Sequence, residues 1–483
     1  MVKRNITLAV VASSMLVGCA ATRPDVPAEA ARLSGIEHAI VFRDWPAPID
    51  APPPPQRLLT PERALRMVLA RDPRIQAALA HVRVAEADAN QARLLPNPIL
   101  TIDIRYRLEP SNTAIEPSLS MDLLSLLQKP AQISAADDRL RGAAAAALTT
   151  VLDVIDEVEE AYASARSIDI EIDNARRRQD RLKRLRDIAQ KRLDAGEATR
   201  LDVLTVDAQL MQAELEVSDF ALQRIDQRLA LNRLLGYARS DVEWELSPWK
   251  PPVDAGLAPE SAWVDAALAN RPEIQAKIWE LRALGEEVKG ASIPPLQGGE
   301  VGAHGERDPE WRLGPVVVIP LPLFDFGQAT RQKVKAERIA ARHDLAETQA
   351  EVIQNVRSMY AAYLYSRRAL SDAQTKLLPL QQQQLQGAQL AYQSGDADLA
   401  TLLLAQNEYE LTLAKIVELE EKVTVARAKL MRATGGAGVA AQLTTAKTQP
   451  AQGAAAPATV PAQRPSPNEP SPSTSQPATG PVQ

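Results

Sequence analysis

Few side chains in this sequence are placed for covalent chemistry. There is one thiol, Cys19, and there are four histidines, His38, His81, His304 and His343. The histidines lack metal-ligand spacing, and no phosphate loop or nucleophile–base motif stands out. The expectation is a chain that is not an enzyme and carries no metal or organic cofactor. A lone cysteine excludes a disulfide framework, but a thiol can still be acylated. The other candidates are electrostatic. Ala195-Gly196-Glu197-Ala198-Thr199 and Ser394-Gly395-Asp396-Ala397-Asp398 put acidic residues beside glycine at two equivalent points. Such carboxylates either cap a following helix or, gathered into a ring, attract cations and repel one another. The basic run Arg176-Arg177-Arg178 with Arg181, Lys183, Arg184 and Arg186 points in several directions on a helix. With a net charge of −6 over 483 residues, it reads as a solvated or ion-paired face and not as a nucleic-acid surface.

Cys19 gains meaning from what precedes it. Lys3 and Arg4 form a positive start, and Ile6 to Leu16 is apolar but short for a bilayer span. Residues 1–18 therefore read as a secretory signal. The sequence Leu16-Val17-Gly18-Cys19-Ala20 resembles the lipobox, which implies that Cys19 is acylated and becomes the first mature residue. Ala20 and Ala21 in place of an aspartate imply, by the same resemblance, sorting to the outer membrane.

The elements that must position the glycine–carboxylate segments are long helices. Residues 19–58 are rich in Pro and Ala and read as an extended tether. Residues 435–483 hold almost no large apolar side chain and read as disordered. Between them lies a duplication. Asp72-Pro73-Arg74-Ile75-Gln76-Ala77 matches Arg271-Pro272-Glu273-Ile274-Gln275-Ala276 at a shift of 199 (272 − 73), and Gly196 and Gly395 keep that shift. The halves are 59–250 and 251–434. Each half has a helical segment (60–94, 259–291), two extended segments, a long helix (131–194, 328–393) broken at glycine, and a returning helix (199–235, 397–433). Such rods are roughly 95 Å long and suit a coiled coil more than a globular core. Leu201, Leu204, Ala208, Met211, Leu215, Ser218, Leu222, Ile225 and Leu229 are expected to form the seam of the first hairpin. Pro379 is expected to kink the second long helix.

The extended segments alternate. Leu100, Ile102, Ile104, Tyr106 and Leu108 share one face, and Thr101, Asp103, Arg105 and Arg107 the other. Ile115 to Leu123 repeats this pattern. Glu300–Glu306 and Trp311–Leu323 form a poorer, glycine-containing pair. Segments of about ten residues with one greasy and one charged face fit a transmembrane barrel; a soluble hairpin packed on a helix also alternates. Four strands are too few to close a barrel alone, so the barrel reading requires self-association.

The anchor, the duplication, the paired strands and the glycine-broken hairpins together resemble the TolC family of outer-membrane efflux proteins over residues 58–434. Local support comes from Ala64-Leu65-Arg66-Met67-Val68-Leu69-Ala70-Arg71-Asp72-Pro73, Leu94-Leu95-Pro96-Asn97-Pro98 and Leu321-Pro322-Leu323-Phe324-Asp325-Phe326-Gly327. The Leu-Pro-Asn-Pro stretch looks like the branch associated with metal and organic-compound efflux. The resemblance implies a mainly α fold with a transmembrane β part: a homotrimer with a shared twelve-stranded barrel in outer-membrane lipid and a periplasmic α-barrel. It also implies a passive conduit served by a periplasmic adaptor and an inner-membrane pump. Gly196, Glu197, Asp202, Gly395, Asp396 and Asp398 would then surround the periplasmic aperture and meet the adaptor. Thr401 and Leu404 stand where a well-known member has an aspartate ring, and Ala397 stands where it has a bridging arginine, leaving Asp202 without that mate. A gate of another kind is expected here. The competing expectation is a soluble periplasmic coiled-coil lipoprotein acting as scaffold or adaptor.

Overall fold

The computed structural model describes residues 21–36, 40–46, 54, 56–106, 113–122, 124–239, 242–247, 257–293, 299–307, 310–319, 321 and 323–445. Cys19, the signal segment and the chain beyond Thr445 lie outside these residues. The first element is a helix, α1 (Val26–Ser34), capped by the Asp25 side chain, which accepts from the Ala28 amide at 3.0 Å. It corrects the extended-tether reading of 19–58. Val26, Ala30 and Leu33 fall on one helical face and are buried, a spacing that the surrounding Pro/Ala composition hides.

The first repeat continues with β1 (Leu58–Leu59), α2 (Pro61–Arg71) and α3 (Pro73–Arg93). The segment read as one helix is therefore two. Pro73 disfavours helical backbone at the residue before it. Asp72 accordingly sits at φ −58°, ψ 122°, and its carboxylate caps α3 through the Arg74 amide at 2.8 Å. Next come β2 (Ile99–Tyr106), β3 (Thr113–Met121), the 66-residue α4 (Lys129–Asp194), α5 (Arg200–Leu234) and β4 (Glu245–Leu246), which pairs in parallel with β1.

The second repeat runs α6 (Glu260–Asn270), α7 (Pro272–Ala291), β5 (Glu300–Arg307), β6 (Trp311–Val318), α8 (Gln328–Asp372), α9 (Leu378–Ser394) and α10 (Leu399–Thr434). Between α8 and α9 the chain makes one π turn, Ala373–Leu377, just ahead of Pro379. A proline ring clashes with the carbonyl four residues back and offers it no N–H. The wider turn absorbs that defect without ending the rod.

The chain then forms α11 (Ala437–Thr445), with Val439 and Ala440 buried. This corrects the start of the tail read as disordered from 435. Its glycines mark a close approach instead. A Cβ at Gly436 would overlap the Leu33 carbonyl oxygen, and one at Gly438 the Arg32 carbonyl oxygen. The first and last described helices thus pack together as α1 against α11.

Below the sheet, α3, α4, α7 and α8 lie side by side; farther down the order is α5, α4, α10 and then α9 with the end of α8. Three apolar clusters hold this layer. One joins α1–α4 to the end of α5, one joins α6, α8 and α10, and one lies near the hairpin tips around Leu185, Val206, Leu399 and Leu402. The expected seam of α5 is placed differently. Val203, Val206 and Ala213 are buried, whereas Leu201, Leu204, Met211, Leu215, Leu222, Ile225 and Leu229 are 49–71% exposed. The helix packs on α4 with a narrow, small-residue face, and its larger apolar stripe points away from its own chain.

Candidate functional site

The site has two ends, a sheet and a pair of tips. The sheet has the order β2-β3-β5-β6 and is antiparallel throughout. Its register puts Leu100 opposite Leu119, Ile102 opposite Pro117, Leu119 opposite Ala303 and Val301 opposite Val317. One face is therefore apolar across all four strands except at Arg307, opposite Ile115 and Trp311 near one end. The other carries Asp103 opposite Glu116, and Ser118 opposite His304. Arg105 reaches Glu116 at 2.9 Å on that polar face.

Leu100, Ile102, Ile104, Leu313 and Val317 are 51–82% exposed. Among the described residues no helix packs on either face: the extensive contacts of the strands are with one another. A soluble hairpin would carry a helix on its apolar side. The β3–β5 ladder skips Glu116 and Pro117, and Gly305 stands across from the proline ring. A proline cannot donate to the ladder, so this local gap follows directly from residue type. Gly302 allows the strands to close up, because a Cβ there would overlap the Leu119 carbonyl oxygen. Among the described residues no helix is long and apolar enough to cross a membrane.

At the first tip, α4 ends in a turn that Gly196 completes at φ +78°, with the Glu197 amide donating to the Arg192 carbonyl at 2.8 Å. Positive φ is strained for any residue with a Cβ. Thr199 then caps α5 in a reciprocal box. Its hydroxyl accepts from the Asp202 amide at 3.2 Å, and the Asp202 carboxylate accepts the Thr199 amide at 2.8 Å. Asp202 is thus used locally, and among the described residues it has no cationic mate.

The second tip is built the same way. Gly395 takes φ +83°, and Asp398 caps α10 by accepting from the Thr401 hydroxyl at 2.6 Å and its amide at 2.8 Å. Those two hydrogen bonds hold the Asp398 carboxyl below its ordinary value. Asp396 accepts from Ser394 at 2.7 Å, and Glu197 stands 3.8 Å from Arg192.

Contacts between the tips were not legible in the sequence. Arg192 of α4 lies over the Tyr392 ring of α9 at 4.9 Å, and Arg181 pairs with Glu410 of α10. These partners are some 200 residues apart, and no local spacing announces them. Of the basic run, Arg178 pairs with Glu216 at 2.9 Å and Arg186 with Asp207 at 3.1 Å.

Comparison with known proteins agrees with this geometry. Residues 64–237 and 297–436 match the family described as Outer membrane efflux protein. The cobalt-zinc-cadmium resistance protein CzcC of Cupriavidus metallidurans is 25% identical over 361 residues, 72% of this chain and 83% of that protein. The fold is that of solved outer-membrane channels. OprN superposes with a TM-score of 0.67 at 19% identity, covering 83% of this chain and 99% of the other. CmeC of Campylobacter jejuni superposes at 0.63 with 14% identity, covering 78% and 85%. Strands with an uncovered apolar face, rods below them and a match over most of both repeats converge: the chain belongs to the outer membrane efflux protein family and is the outer-membrane channel subunit of a tripartite efflux system.

Proposed function

We propose that three copies of the chain close one channel, with an acyl chain on Cys19 as a second hold on the membrane and the hairpin tips as the entrance that meets the adaptor. The observation that carries this reading is that both layers end in open edges. Among the described residues, the outer edges of β2 and β6 have no partner strand. In the helical layer the α5 stripe is exposed at one edge, and Ile339, Tyr365, Leu380 and Leu390 of α8 and α9 are 54–70% exposed at the other. Edges cannot be left open in lipid, and an edge that meets a different edge generates a ring. Four strands per chain reach the family's twelve with three copies.

The anchor reading is supported from the described side of Cys19. The Ala21 amide donates to Asn90 at 2.8 Å, and Arg23 lies 3.7 Å from Glu86. The chain two residues beyond the cysteine is therefore tied near the end of α3 that leads into the sheet. An acyl chain there reaches lipid beside the barrel rim and needs no long tether.

The test is the oligomer in detergent. A heat-modifiable trimer that inserts into planar bilayers supports the reading. A monomer freed by removing the lipid alone overturns it. The tip carboxylates Glu197, Asp396 and Asp398 are read as the cation-attracting part of a gate that lacks the usual salt bridges. Neutralising all three is expected to change conductance and cation block; unchanged values would discard that role. The relative named for cobalt, zinc and cadmium resistance makes divalent metal cations the first cargo to test, by tolerance of a strain lacking this chain.

A further inference from the structure

Below the contact of α4 with α7, the two repeats meet again along α4 and α10. Part of this seam is charge-paired: Lys429 reaches Glu160 at 3.2 Å, Arg432 reaches Asp153 at 2.6 Å, and Ser164 donates to Glu421 at 2.6 Å. Among these pairs sits a carboxyl that has none. Glu159 lines a cavity of about 370 Å³ between α2, α4 and α10, and also borders a smaller void on its other side, next to Asp156 and Met431. Among the described residues no hydrogen-bond donor reaches it. Asp156, one turn away, has a buried Oδ1 that meets no donor among the described residues.

We propose that this seam is proton-sensitive, with Glu159 holding a proton whenever the two helical hairpins are fully packed against one another. The charged groups around it make the case. From its own helix, Asp156 adds negative charge, with Glu160 acting on Asp156 in turn; Glu62 of α2 and the Tyr162 phenol of α4 stand on the same cavity wall. From α10, Arg427 opposes them, whereas Lys429 is engaged with Glu160 and Arg432 with Asp153 and Glu273. Burial and the neighbouring Asp156 push the Glu159 carboxyl up to about 7, with Arg427 pulling the other way. Burial also raises Asp156, Glu171 and Glu420 along the same seam.

A carboxyl raised on packing binds its proton more tightly in the packed state than in water, where its value is 4.5. The seam therefore has its full strength below that value, loses it as pH rises toward about 7, and stays weaker above. A compartment that follows external pH would thus loosen the junction between the halves on the alkaline side. This inference goes beyond the channel reading and is tested without it, because local protection is read whether or not the chain conducts.

The experiment is amide hydrogen exchange on the full chain in detergent, corrected for the intrinsic pH dependence of exchange. In the unaltered chain, protection of 152–167 and 420–432 is expected to fall roughly tenfold or more between pH 5.5 and 8. Glu159→Gln is expected to keep the acid-side protection at both pH values. Glu160→Gln, which removes a paired carboxylate, is expected to keep the pH response. A flat profile in the unaltered chain, or an unchanged response in Glu159→Gln, overturns the proposal. The first of these outcomes needs no variant to fold.

Discussion

The two repeats contain the same parts in the same order, yet they are held by opposite charges. In the first, Asp72 and Arg74 flank Pro73, and Arg74 reaches Glu157 of α4 at 2.5 Å. In the second, Arg271 and Glu273 flank Pro272, and Glu273 reaches Arg432 of α10 at 2.5 Å. The inverted order of charge means that neither repeat can stand in for the other at its junction. A duplicated chain needs such a distinction, because like halves otherwise pair in more than one way. The rods differ too. α4 is one uninterrupted helix, whereas its counterpart carries a π turn ahead of Pro379. Deformation of the tube therefore has a defined place to begin in the second hairpin.

Substitutions that address this comparison fall in an order of effect. The largest is expected in the sheet, where the hairpins meet. Gly302→Val puts side-chain atoms into the Leu119 carbonyl and is expected to abolish the heat-resistant oligomer on unheated gels. Gly314→Ala, where a Cβ meets nothing within 4 Å, is expected to leave it intact. Loss in both, or in neither, breaks the distinction between the strands.

Next come the two charge junctions. Burial pushes the Glu273 carboxyl up, but Arg432 and Arg271 outweigh it and hold it below the ordinary carboxylate value. Its contribution is present above that ordinary value and is lost as pH falls through the depressed one. Glu273→Gln leaves Arg432, whose side chain is 12% exposed, with Asp153 as its remaining carboxylate, and should cost about 1.5–3 kcal/mol. Arg74→Gln, at a site 46% exposed, should cost about 1 kcal/mol or less. Denaturant melts of the two variants compare the junctions directly.

The paired tyrosines give a smaller contrast. The Tyr162 hydroxyl, fully enclosed, donates to the Leu59 carbonyl at 2.9 Å, and that of Tyr360, half-buried, donates to the Ala258 carbonyl at 3.2 Å. Phenylalanine at 162 is expected to cost about 1–2 kcal/mol and at 360 less than about 1 kcal/mol. The smallest effects belong to the tips. Thr199→Ala and Asp398→Ala each remove one exposed helix cap, and the loss is expected only as faster exchange confined to the adjoining turn, with no measurable shift of the denaturant melt.

Much of the candidate site was legible because it rests on short-range rules. Gly196 and Gly395 are required by left-handed backbone, Asp398 by orphan amides at a helix start, and the strand faces by period two, whereas the Thr199 cap was not read. The α5 stripe was legible as a stripe but was assigned to the wrong partner. Periodicity shows that a face is apolar and says nothing about what covers it. The helices at either end of the chain were missed because each is nine residues long and lies in a composition that reads as linker.

By itself, then, the sequence determined the duplication, the rods, the glycine tips and the alternating strands, since each depends on neighbours within a few turns of chain. Tertiary structure alone decided which face of α5 turns inward, that α1 docks on α11, that Arg192 meets Tyr392 across the hairpins, and that Glu159 has no partner in the seam among the described residues. Those outcomes depend on residues hundreds of positions apart competing for the same space, and no local pattern records who wins.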